Sequence, residues 1–235
     1  MIKENFASIN VIIDRSGSMG NLATDTIGGF NTFVAEQKLT PGEAAFTLCT
    51  FSTDYSLVHD FVKLGSVPDL DAKSYRPSGG TALLDALGTT INSVGQKLAA
   101  MPEDERPSSV LFLIITDGQE NSSHTFTKAQ VKAMIEHQRE TYKWEFVFMG
   151  ANIDAISEGT SLGISASNSM NYSATKGGTR DLYRSVSSNT SSYRSSGSQQ
   201  VDFFNQTVAA PVTPAVAPTV ITPVVTVTPG TKVTP

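Results

Sequence analysis

One cysteine in 235 residues rules out a disulfide framework. Its place inside the apolar run Phe46-Thr-Leu-Cys-Thr-Phe makes Cys49 a small buried hydrophobe rather than a nucleophile. Basic charge is also scarce: 17 Lys and Arg stand against 22 Asp and Glu, for a net charge of −5. With no Lys/Arg cluster, the electrostatic footprint of a nucleic-acid binder is missing. No apolar stretch approaches the roughly 20 residues that span a bilayer. The N-terminus Met-Ile-Lys-Glu-Asn-Phe lacks the basic, apolar and small-residue succession of a secretory signal. The expectation is a chain kept in the cytoplasm or packaged into a particle. A P-loop, a dinucleotide fingerprint and a G-x-S-x-G elbow are all absent, and Lys176-Gly-Gly-Thr reads as a turn opening the last helix.

Charged and aromatic side chains are concentrated in residues 1–196, enough for one domain that buries about 70% of its unfolded surface. After a linker at 197–206, the segment from Thr207 to Pro235 holds six of the eleven prolines and a single charged side chain, Lys232. Prolines at that density exclude a helix. A disordered tail is one reading. The other follows from Val220-Ile221 and Val224-Val225-Thr226-Val227, which are apolar enough to lie extended along a neighbour, as a strand added to another subunit or particle surface.

Short β-branched or aromatic runs at Ser8–Ile13, Ala45–Phe51, Val110–Ile115 and Glu145–Met149 read as buried strands. Tyr55–Phe61 reads as an edge strand paired with Ala45–Phe51 through Ser52-Thr53-Asp54, and Met170–Tyr172 as a short last strand. Helical spacing marks Thr26–Lys38, Ala82–Ala99, Lys128–Gln138, Ala155–Leu162 and Thr179–Ser192. Strands alternating with helices predict a doubly wound α/β fold, its mostly parallel sheet covered on both faces.

Chemistry gathers at three places. The first strand ends in Asp14-Arg-Ser16-Gly-Ser18, one carboxylate and two hydroxyls at alternate positions, a ligand set that suits Mg²⁺ or Mn²⁺ rather than Zn²⁺. An ordinary turn, with Asp and Ser bonding local N–H groups, explains the same residues. Thr81 follows Gly79-Gly80 at the start of a helix, so its hydroxyl is an N-cap or a ligand. Val110-Leu-Phe-Leu-Ile-Ile-Thr-Asp-Gly ends a second buried strand at Asp117. In an open α/β sheet, ligands sit beyond the carboxyl ends of strands, so the three loops can converge. Asp25 and Asp85 read as solvated helix residues. His124 follows the Asp117 loop and could line the metal face, although an exposed loop histidine is commoner; structural roles suit His59 and His137.

Asp14-x-Ser16-x-Ser18, a Thr after Gly-Gly, and Thr116-Asp117-Gly118, in that order, resemble the metal-ion-dependent adhesion site of von Willebrand factor A domains. The resemblance covers about residues 6 to 185. Segments such as Phe146-Val-Phe-Met-Gly-Ala-Asn-Ile-Asp-Ala resemble small stand-alone members from bacteria and their phages. It implies that Ser16, Ser18 and Thr81 ligate Mg²⁺ or Mn²⁺, with Asp14 and Asp117 close by and partly acting through water. A partner protein's Asp or Glu would complete the octahedron.

Three functions are therefore weighed. One is a protein-binding, adhesion or assembly module without catalysis. The second is a structural component of a phage particle or other large assembly, a subunit or homo-oligomer held through its tail, in which the metal is only structural. The third is a metal-dependent phosphoryl-transfer enzyme. It is disfavoured because Ser16 stands where a second acidic residue would be needed and no nucleophile and acid/base pair suggests itself.

Overall fold

The computed structural model describes residues 3–196 and 202–204. The expectations for the tail at 207–235, and for all of the linker but 202–204, lie outside the described residues.

Six strands form one sheet, in order β3-β2-β1-β4-β5-β6. They are β1 Lys3–Asp14, β2 Glu43–Phe51, β3 Tyr55–Lys63, β4 Pro107–Thr116, β5 Glu145–Gly150 and β6 Ser169–Asn171. Only the β2–β3 hairpin is antiparallel. From Ala7 onward β1 is buried on both faces, as befits a central parallel strand, and its one buried side-chain amide, Asn10, is satisfied by Leu111 O (3.1 Å). β3 is an edge strand, and none of its residues is fully buried. Its register against β2 shifts near Leu48, and Phe61 sits at φ 54°. This bulge, with the Asp60–Lys97 ion pair at 2.5 Å, blunts the edge against pairing with another chain.

Helices α1 (Ala23–Leu39) and α5 (Lys176–Ser196) cover one face, where Phe30, Phe33 and Val34 meet Leu182, Tyr183, Val186 and the odd-numbered side chains of β1. Helices α2 (Leu83–Ala100), α3 (Lys128–Tyr142) and α4 (Ala155–Ser161) cover the other, around Ile12, Phe112, Phe146 and Phe148. Each expected helix is present, and Lys176-Gly-Gly-Thr forms the first turn of α5 itself. No described helix is long and apolar enough to cross a membrane. Cys49 is fully buried and its thiol pKa is pushed up to about 12 by that burial, so it stays an inert hydrophobe.

After α5 the chain returns to the sheet at Phe203, which is wholly buried. Its N–H donates to Asn168 Oδ1 (2.8 Å), and the Asn168 amide in turn donates to the Glu145 carboxylate. Glu145 opens β5, so Phe203 docks at the amino ends of the parallel strands. Their carboxyl ends, at the opposite pole, carry Asp14 and Thr116.

Candidate metal centre

Chain order builds the site. From β1 the chain crosses to β2 on one side, and after the β2–β3 hairpin and α2 it returns to β4 on the other side of β1. The point where the winding reverses is the crevice between the carboxyl ends of β1 and β4. Ile13 pairs with Ile115, which sets Asp14 beside Thr116.

Asp14 is fully buried and its carboxylate is held at both oxygens: Ser16 N–H donates to Oδ1 (2.6 Å) and Thr116 Oγ1 donates to Oδ2 (2.6 Å). From behind, Tyr75 OH donates to the Asp14 carbonyl (2.5 Å). Ser16 Oγ lies 3.0 Å from Ser18 Oγ, which donates to Asp117 Oδ1 (2.6 Å). All five candidate residues therefore stand within one network or at its border, and Thr81 is located by Gly118. A methyl group placed on Gly118 would sit 3.2 Å from Thr81 Oγ1, 3.6 Å from Ser18 Oγ and 4.0 Å from Asp14 Oδ2. Oxygens from two of the loops thus face one point on the third that glycine leaves open.

The hydroxyl of Thr81 is not a cap. The cap position of α2 belongs to Ala82 and makes no side-chain cap bond. The free N–H groups of the first turn are satisfied from the β4–α3 loop instead, Leu84 N–H by Glu120 Oε2 (2.9 Å) and Asp85 N–H by Ser123 Oγ (3.0 Å). Asp85 corrects the sequence reading. Far from being a solvated helix residue, it is half-buried and accepts from the N–H groups of His124 (2.9 Å), Thr125 (2.9 Å) and Phe126 (2.8 Å). His124 itself is exposed and contributes its backbone to this clasp.

Backbone bonds tie the Thr81 loop to both of the others, and the Ser18–Asp117 side-chain bond joins those two. Gly17 N–H donates to Gly79 O (3.0 Å) and Ser78 N–H to Arg15 O (2.8 Å); Asn121 N–H donates to Thr81 O (3.0 Å). Gly79 adopts φ +78°, a conformation that side chains disfavour. This is the physical content of the Gly-Gly before Thr81. Asn121, Glu120 and Asp85 were not singled out from sequence as parts of this framework. Only the polar Gln119-Glu-Asn-Ser-Ser run hinted at it, and that run reads as an ordinary loop.

Burial holds the Asp14 carboxyl above its usual pKa; bonds from Thr116 and Ser16 oppose this, and the charge of Asp117 adds to it. Burial likewise raises Asp117, against the Ser18 bond. Two carboxylates that resist ionisation at one buried point favour a cation between them. Among the described residues no three His, Cys, Asp or Glu side chains gather into a metal cluster; the candidate donors are two carboxylates and three hydroxyls, all hard oxygens. Ser18 is exposed while Asp14, Ser16, Thr81 and Asp117 are buried, which opens the cluster to solvent on one side.

No family model and no curated protein sequence matches the chain. Solved structures do. A von Willebrand factor type A protein from Catenulispora acidiphila is 17% identical with a TM-score of 0.50, over 80% of this chain and 43% of that one. Proximal thread matrix protein 1 from the mussel byssus, with a zinc-occupied MIDAS motif, is 16% identical with a TM-score of 0.53, over 80% and 46%. The manganese-loaded TRAP protein of Plasmodium vivax is 15% identical with a TM-score of 0.50, over 77% and 73%. This chain spans less than half the length of the first two. The likeness shows the fold: the chain folds as a von Willebrand factor A domain.

Proposed function

We propose that this von Willebrand factor A fold serves as a divalent-metal-dependent protein-binding module and not as an enzyme. Asp14, Ser16, Ser18, Thr81 and Asp117 would hold Mg²⁺ or Mn²⁺. The observation that carries the reading is the convergence of Thr81 Oγ1, Ser18 Oγ and Asp14 Oδ2 on the space beside Gly118. The all-oxygen donor set supports a hard cation over zinc, although one structural neighbour is described with zinc in its motif.

When bound, the cation supplies an electrophilic point that accepts a carboxylate from a partner protein. The chain's own residues do the rest. Thr116 and Ser16 fix the Asp14 carboxylate, while Ser18 spans from Ser16 to Asp117. Five oxygen donors from the chain would leave one position of an octahedral ion open, which an incoming Asp or Glu would fill. The tail would then tether the domain to a neighbouring subunit or particle, since the described chain ends at the pole opposite this face.

Calorimetric titration with Mn²⁺ tests the site, wild type against Asp14→Ala. Binding by wild type alone supports it and equal binding rejects it. A metal-dependent phosphoester turnover that disappears in Asp14→Asn would replace the binding module with an enzyme.

A further inference from the structure

We propose that Asn121 positions Thr81 for the cation, an inference that rests on the metal-site reading above. Thr81 stands one residue ahead of the helix cap, so neither its N–H nor its C=O has a partner in α2. Asn121 satisfies both. Thr81 N–H donates to Asn121 Oδ1 (2.8 Å), and Asn121 N–H donates to Thr81 O (3.0 Å). The two bonds close a ring that fixes the backbone of Thr81. A β-branched side chain is stiff at χ1, so fixing the backbone limits the directions its hydroxyl can take.

Asn121 is itself held. Ser122 Oγ donates to its Oδ1 (2.6 Å), and Glu120 accepts from the N–H groups of Ser122 (2.9 Å) and Ser123 (2.7 Å) while also accepting from Leu84 N–H at the start of α2 (2.9 Å). Gly80 completes the arrangement, because any Cβ there would overlap Ser122 Oγ and Asn121 Oδ1. The loop after Asp117 thus reaches across to set the one site residue that comes from a different loop and has no side-chain bond to the Asp14 network. Asn121 is exposed, so its work is local, not that of a core residue.

The test uses the full chain, Mn²⁺ as the probe, and three substitutions. Asn121→Ala and Asn121→Leu remove the acceptor, the second while keeping the approximate shape. Asn121→Asp retains an acceptor for Thr81 N–H. The first two should weaken Mn²⁺ binding about tenfold, the scale of a lost outer partner of a metal ligand, with thermal midpoints in EDTA close to wild type. Asn121→Asp should bind within about threefold of wild type on the same scale. Amide exchange at Thr81, measured in EDTA, should be fast in the first two and slow in wild type and Asn121→Asp.

Wild-type affinity in Asn121→Ala and Asn121→Leu would overturn the proposal, as would Asn121→Asp binding as weakly as they do. If wild type itself took up no Mn²⁺, the metal reading would fail. Thr81 exchange would then still decide whether Asn121 holds this backbone, and slow exchange in Asn121→Ala would refute it.

Discussion

Thr116 Oγ1 donates to Asp14 Oδ2 across 2.6 Å, so the last residue of β4 sets the carboxylate that ends β1. The same Oγ1 also accepts from Gly118 N–H (3.2 Å), which ties the Asp117 turn to that carboxylate. Thr116→Val keeps the shape and removes both bonds. A buried acceptor that loses its donor costs about 1–3 kcal/mol. The urea midpoint should fall accordingly, and Mn²⁺ affinity should fall with it. Unchanged affinity in a destabilised protein would separate Thr116 from the site.

Gly118→Ala is the sharpest test of the cradle. Gly118 has no positive φ that alanine would strain, and its new methyl would stand 3.2 Å from Thr81 Oγ1. Stability in EDTA should change by no more than about 1 kcal/mol, because the stiffer unfolded chain offsets the small shift that the 3.2 Å contact asks of Thr81. Metal binding should be lost in calorimetry, and retained binding would show that the cation does not sit there.

Thr81→Ala separates site from scaffold. Because the Thr81 side chain caps no helix, the substitution should cost only about 1 kcal/mol, the scale of the one buried methyl group it removes. It should nevertheless abolish metal-dependent capture of a partner. A large drop in thermal midpoint without metal would contradict this assignment.

Asp85 predicts the acid behaviour. Burial opposes its ionisation, but N–H donors from His124, Phe126 and Thr125 outweigh that and hold its pKa below the ordinary 3.8. A carboxyl depressed in the folded state contributes stability that is complete above the unfolded pKa and is lost as pH falls through the folded one. Stability should therefore decline below about pH 4. Asp85→Asn should be weaker at neutral pH and flatter on this acid limb. Parallel limbs for the two proteins, read from urea midpoints, would contradict the prediction.

Phe203 predicts where the folded unit stops. It is wholly buried among the residues of the α1/α5 face, so Phe203→Ala should cost about 3 kcal/mol or more. A chain cut after Gln206 should melt like the whole one, whereas a cut after Ser196 should melt well below it. Equal melting of both truncations would show that Phe203 adds nothing.

The sheet was legible because its central strands are short, predominantly β-branched or aromatic runs. Ile9 to Ile13 and Val110 to Ile115 have to be central, and Asp14 and Asp117 have to sit at their ends. The ligand candidates were legible for the same reason, since polar atoms directly after a buried strand stand out. What escaped was the framework behind them. Asp85 bonds residues about 40 positions away, as Thr81 does with Asn121. Such loop-to-loop pairings have no period, and one carboxylate in a first helical turn looks like any other. The Thr81 hydroxyl stayed ambiguous between cap and ligand until Glu120 and Ser123 proved to occupy the helix start.

The two poles of the sheet have a mechanical meaning. The Asp14 loops lie at the carboxyl ends of the strands and Phe203 at the amino ends. A pull applied between a bound partner and the chain beyond Phe204 would run lengthwise along β1, β4 and β5. Their parallel ladders would be loaded in shear, many hydrogen bonds at once, and not peeled open one by one.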